Sequence, residues 1–116
     1  MSATLACWEP SVGLDPRADD FDERFYAVQR ARLPPTPTML AFVEFLLAKY
    51  PDLTESKETI WADGPLKNDI SGGFIHFSVT WSGYTEGRLF VRPAARKFGL
   101  DFYDPQDNLY IPAETH

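Results

Sequence analysis

One cysteine, two histidines and seven glycines stand in a chain of 116 residues. Cys7 alone cannot close an intrachain disulfide, so the core must hold the fold and a reducing compartment is expected. His76 is the only interior histidine, His116 being terminal. Neither a cysteine pair nor a His-x-His spacing exists, so no zinc centre is expected and no cofactor is implied. Cations are also scarce: Lys and Arg number 11 against 17 Asp and Glu, for a net charge of −6 and a pI of about 4.7. That balance argues against non-specific binding to nucleic acid or to an anionic membrane. It suits a partner with a basic surface. No apolar run is long enough to span a bilayer. The start lacks the charged segment and long apolar run of a secretion signal. A cytoplasmic protein is therefore expected. There is no internal repeat and no low-complexity tract.

Apolar and aromatic side chains are plentiful, at 44% and 15% of the chain, which excludes wholesale disorder. The length fits one domain, residues 1–116, with one real core. Its organising stretch is TPTMLAFVEFLLAKY, residues 36–50. Met39, Phe42, Val43, Leu46, Leu47 and Tyr50 recur at helical spacing and make one stripe. Thr36 suits the cap, Pro37 the first turn, Lys49 the negative end, and Pro51 stops the helix. Burying six such side chains is worth on the order of 10 kcal/mol before entropy is charged.

The rest of the chain supplies the cover for that stripe. Thr4 to Trp8 reads as a short strand, closed by Glu9-Pro10. Asp19 to Arg32 reads as a helix with Phe21, Phe25 and Val28 on one face and acids crowding its start. Asp52 to Gly73 is a long polar loop in which Ile60-Trp61 and Leu66 are apolar islands that pin it to the core. Phe74 to Trp81 alternates strictly: Ile75, Phe77, Val79 and Trp81 should face the helices, with Phe74, His76, Ser78 and Thr80 opposite. Tyr84 to Phe98 is an amphipathic helix interrupted by Pro93, which should kink it or move its start to about Arg92. Gly99 is a fitting stop. Leu100–Tyr103 and Asn108–Ile111 read as short strands around the Asp104-Pro105-Gln106-Asp107 turn, followed by a frayed tail. The predicted fold is α+β: a small two-layer sandwich with three helices on one face of a three- to four-stranded sheet.

No residue set announces a reaction. Cys7 falls in a predicted buried strand, where an inert core residue is the ordinary outcome. Ser71-Gly72-Gly73 lacks the lysine and helix of a phosphate loop and reads as turn chemistry. The carboxylate pairs Asp101/Asp104 and Asp63/Asp69 could serve as general acid and base. Asp104, before Pro105, is equally suited to shaping its own turn. Asp15, Asp19, Asp20, Asp22 and Glu23 form either a solvated helix start or a negative patch able to steer a basic partner. Trp61, in a polar loop, is either a core plug or an interface anchor.

Several pieces recur in one order: Trp8-Glu9-Pro10, Lys49-Tyr50-Pro51, Trp61-Ala62-Asp63-Gly64-Pro65-Leu66, and an aromatic strand. Ala94-Ala95-Arg96-Lys97-Phe98-Gly99-Leu100 and Phe102-Tyr103-Asp104-Pro105-Gln106 follow. From about Leu5 to Ile111 this series resembles a group of small bacterial proteins, some of which look like immunity proteins encoded beside antibacterial toxins. The chain departs from that group at Pro93 and in a shortened segment after Glu9-Pro10. The resemblance implies a non-catalytic inhibitor that binds a cognate toxin and occludes its active site. On that reading Asp19, Asp20, Asp22, Glu23, Trp61 and Asp63 are the partner-binding candidates, and a monomer is expected. The alternative is a small ligand-binding domain or enzyme, with a pocket around His76, Asp101 and Tyr103. A third reading is a self-pairing subunit joined through Phe74 or the edge of the last strand.

Overall fold

A computed structural model describes residues 2–115. Strand β1 (Ser2–Trp8) leads to helices α1 (Phe21–Ala31) and α2 (Pro37–Lys49). Strands β2 (Ile70–Ser71) and β3 (Phe74–Thr80), helix α3 (Tyr84–Lys97), and strands β4 (Asp101–Asp104) and β5 (Leu109–Ile111) complete the fold. The strands form one antiparallel sheet in the order β2-β3-β1-β4-β5, with β1 at its centre. The α+β class and the packing of three helices against one sheet stand as expected. The sheet has five strands rather than three or four. The added one is β2, which pairs with β3 through the two-residue Gly72-Gly73 turn, where Gly72 supplies a positive φ.

The layering departs from expectation in one respect. Helices α2 and α3 cover the face formed by Ala3, Leu5, Cys7, Ile75, Phe77, Val79 and Phe102. Helix α1 lies on the opposite face, over Ala6, Trp8 and Phe74. The reason is aromatic. Trp8 is fully buried on that second face, stacked 6.2 Å from Phe74 and 6.1 Å from Tyr110. Phe21 and Phe25 of α1 close over it at 6.3 and 6.4 Å. Both faces of the sheet are therefore apolar, and one layer of helices could not have covered them.

Helix α2 behaves as its stripe demands. Met39, Phe42, Val43 and Leu46 are fully buried, and Thr36 Oγ1 accepts from the Met39 amide at 3.1 Å. The long loop is pinned where expected. Leu66 is buried, Ile60 nearly so, and the Leu66 amide donates to buried Asp52 Oδ1 at 2.9 Å. Helix α3 starts at Tyr84 despite Pro93. Pro93 and Leu89, whose carbonyl it leaves without its helical amide, both lie on the solvent side. The helix ends in a Schellman motif: Gly99 at φ +70° donates to Arg96 O at 3.1 Å and Leu100 donates to Ala95 O at 2.9 Å. Trp81 does not join the inward set. The strand stops at Thr80, and Trp81 sits half exposed against Tyr84 in the turn into α3. The tail is tied rather than frayed as far as it is described, since the Ala113 amide donates to Asp101 Oδ1 at 2.8 Å. His116 lies outside the described residues.

Candidate functional site

The interior carboxylates are occupied by structure. Asp101 is buried and accepts from Trp8 Nε1 at 3.0 Å, Tyr110 OH at 2.9 Å and the Ala113 amide at 2.8 Å. Asp104, fully buried, accepts from Tyr84 OH at 2.5 Å and from the Gln106 amide and Nε2 at 3.0 and 2.7 Å. Gln106 in turn brackets β1: its Oε1 accepts from the Thr4 amide at 2.8 Å and its Nε2 donates to Thr4 O at 2.7 Å. A side-chain amide thus stands in for a neighbouring strand where β4 has run out. Asp104 shapes the turn and, through Gln106, the sheet edge. Cys7 is fully buried, and burial, reinforced by the nearby Asp101 charge, pushes its thiol pKa far up. A thiolate nucleophile is not available there.

Two surface features remain, at opposite ends of α1. The first lies over its opening turns. Asp19, Asp20, Asp22 and Glu23 are all exposed. The ion pairs among the described residues are Asp15–Arg17, Glu44–Lys67, Asp104–Arg88 and Asp107–Arg88, so none of these four acids is neutralised internally. Beside them runs a groove of about 180 Å³ lined by Thr4, Phe21, Asp22, Phe25, Tyr26, His76, Tyr103 and Pro105. Phe25 meets His76 edge-on at 4.9 Å, and Phe21 meets Tyr103 edge-on at 5.3 Å. Tyr26 is 54% exposed. Burial lowers the His76 pKa and so favours the neutral ring, whose Nδ1 lies 3.3 Å from Gln29 Oε1. The Tyr103 hydroxyl is pushed up by burial first, then by the charges of Asp22 and Asp104.

The second feature is a polar hollow of about 320 Å³ beyond the C-terminal end of α1, lined by Arg32, Asp63, Gly64, Pro65, Asn68 and Asp69. Burial and then the Asp63 charge push the Asp69 carboxyl up to about 6, with Arg32 pulling it back. An eleven-residue helix is about 16 Å long, so the hollow and the acidic start belong to separate parts of the surface.

These positions sort the residues expected to act. Asp19, Asp20, Asp22 and Glu23 share one exposed patch. Asp63 is exposed but stands apart, in the hollow with Asp69. Trp61, placed among the partner-binding candidates, is fully enclosed: its Nε1 donates to Tyr50 O at 2.7 Å and its ring meets Phe77 edge-on at 5.7 Å. It plugs the core, and no partner can touch it in this structure. The pairing of His76 with Asp101 is also corrected. His76 and Tyr103 line the groove, but Asp101 does not, because Trp8 and Tyr110 hold its carboxylate beneath the aromatic layer. Phe74, considered as a self-pairing contact, is fully buried between Trp8 and Phe25.

Tyr26 and Arg32 were not singled out by sequence reasoning. Tyr26 carried a signal, since it breaks the polar face of α1 one residue after the buried Phe25. Asp69 was paired with Asp63 from the sequence, and the structure brings the two into one hollow, with Arg32 added from the end of α1. No group of three or more His, Cys, Asp or Glu side chains among the described residues could hold a metal ion. No described helix is long and apolar enough to cross a membrane. No family model, curated protein or solved structure matches the chain.

Proposed function

We propose that this chain is a non-catalytic inhibitor of the immunity type, which binds a cognate protein toxin in the cytoplasm and occludes its active site. The observation that carries the reading is the exposed acidic patch of Asp19, Asp20, Asp22 and Glu23, on and just before the first turn of α1 and beside an aromatic groove, with no ion pair to these acids among the described residues. An enzyme acting on nucleic acid or nucleotides presents a basic active-site surface, and such a surface is the natural complement of this patch. The buried carboxylates support the same reading, because Asp101 and Asp104 are committed to holding Trp8, Tyr84 and Gln106. The partner is a protein with a basic face; nucleic acid, membrane and cofactor have no part in it.

The test is to express the product of the neighbouring reading frame in a host, with and without this chain. Growth arrest relieved by the chain supports the reading. Relief lost on joint reversal of Asp19, Asp20, Asp22 and Glu23 to Lys places the patch in the interface. A neighbour that is harmless, or whose toxicity the chain leaves untouched, overturns the inhibitor reading. Full protection by the reversed variant overturns the patch alone.

A further inference from the structure

The groove beside the acidic patch has a chemistry of its own. Its walls are aromatic, from Phe21, Phe25, Tyr26 and Tyr103, and a carboxylate, Asp22, stands among them. At about 180 Å³ it is well below the roughly 300–1,000 Å³ of pockets that enclose drug-sized ligands or cofactors. It is a side-chain-sized recess. Asp22 is exposed, and among the described residues no ion pair engages it. The chain already uses cation–ring contacts elsewhere: Arg17 on Tyr110, Lys49 on Tyr50, Arg88 on Tyr84 and Lys97 on Phe45. None of these covers Tyr26 or Tyr103, so among the described residues no cation lies over those two groove walls. Burial lowers the His76 pKa, which disfavours a cation at that wall. Asp22 gives the lining a negative charge.

We propose that this groove receives an arginine side chain projecting from the basic partner, its guanidinium lying against the aromatic walls and pairing with Asp22. The inference rests on the reading of the α1 start as a docking surface for a basic protein, and it names the anchor. Arginine fits better than lysine because a planar, weakly hydrated guanidinium stacks on rings and forks onto a carboxylate, whereas an ammonium is a strongly hydrated point charge. Charge complementarity supplies the direction of approach, and the aromatic recess supplies the local selectivity.

The proposal is tested on the full-length, isotope-labelled chain by following its amide resonances during titration with N-acetyl-arginine amide. The lysine and citrulline amides serve as comparison probes, citrulline having nearly the same shape without the charge. Saturable shifts confined to residues 22, 25, 26, 76 and 103 are expected. Binding of citrulline should be roughly tenfold weaker, and that of lysine several-fold weaker. Asp22→Asn should reduce arginine binding to the citrulline level, and Tyr26→Ala should weaken it. Both residues are exposed, so the variants keep the fold, and the rest of the spectrum verifies this. Glu58→Gln, on the exposed surface of the long loop, should change nothing. Absent shifts, shifts spread over every acidic side chain, or equal binding of arginine and citrulline would overturn the proposal. Equal binding of lysine would overturn the stacking role of the rings. A silent groove together with protection of the host cell defeats the anchor and leaves the inhibitor reading standing. Arginine binding without protection does the reverse.

Discussion

Asp69 sits in the polar hollow with Arg32 and Asp63. Its carboxyl lies half enclosed, with Asp63 nearby, and is pushed up to about 6 from 3.8. Between roughly pH 4 and 6 the folded chain holds a proton that the unfolded chain has released. Stability therefore falls as pH rises through that window, and the deficit is complete above it. The full linkage value would approach 3 kcal/mol, but the group is half open to water, and screening reduces this to about 1 kcal/mol. Asp69→Asn should accordingly stabilise the protein by about 1 kcal/mol at pH 7 and by close to nothing at pH 4, as read from urea unfolding at both pH values. Equal gains at the two pH values would show that ionisation is not the cause. Asp101 is the opposite case. Its carboxylate is buried deeper, yet three donors meet it, so its burial serves the fold. Neither fate was legible in the sequence. The sequence paired Asp69 with Asp63 and Asp101 with Asp104, but it could not show how deep each carboxyl would lie or which donors would reach it.

At the scale of elements, legibility followed periodicity. The α2 stripe, the Thr36 cap, the Gly99 stop and the β3 alternation are local patterns, and the structure realises each of them. Helix α1 carries as plain a stripe, in Phe21, Phe25 and Val28, but a stripe does not say which face of a sheet will receive it. That choice was made by Trp8 and Phe74, which make the second face apolar and lie at matched positions on neighbouring strands. Trp81 was misplaced for a related reason: alternation cannot tell where a strand stops, and hydrogen bonds from Gly83 to Thr80 turn the chain one residue earlier. Pro93 defines a prediction at this scale. It costs α3 one backbone hydrogen bond, at an exposed position where water can meet the Leu89 carbonyl. Pro93→Ala restores the amide and removes the ring without touching the core. It should raise stability by about 1–3 kcal/mol, seen as a higher denaturant midpoint with an unchanged slope. A loss of stability would mean that the helix depends on the proline's fixed geometry.

For the whole molecule, the division of labour is between a saturated interior and an asymmetric exterior. Two apolar layers flank one sheet, and the buried acids are bonded within it. Of the acids at the α1 start, Asp22 lines the groove and Asp19, Asp20 and Glu23 stand outside its lining. Charges at a distance from their partner's charges are felt over about 10 Å at 0.1 M salt, so they steer encounter more than they hold the complex. If the neighbouring reading frame yields the partner, replacing Asp19, Asp20, Asp22 and Glu23 by Asn or Gln should lower its association rate about tenfold or more at low salt. The dependence of that rate on salt should flatten. Dissociation should change mainly through Asp22, the one acid of the four that lines the groove. Stopped-flow association at several ionic strengths, with Asp22→Asn run beside the triple variant that spares Asp22, separates the two contributions. A dissociation rate that rises equally in both variants would place all four acids in direct contact and remove the distinction between steering patch and anchor. An unchanged association rate would remove the patch from recognition altogether.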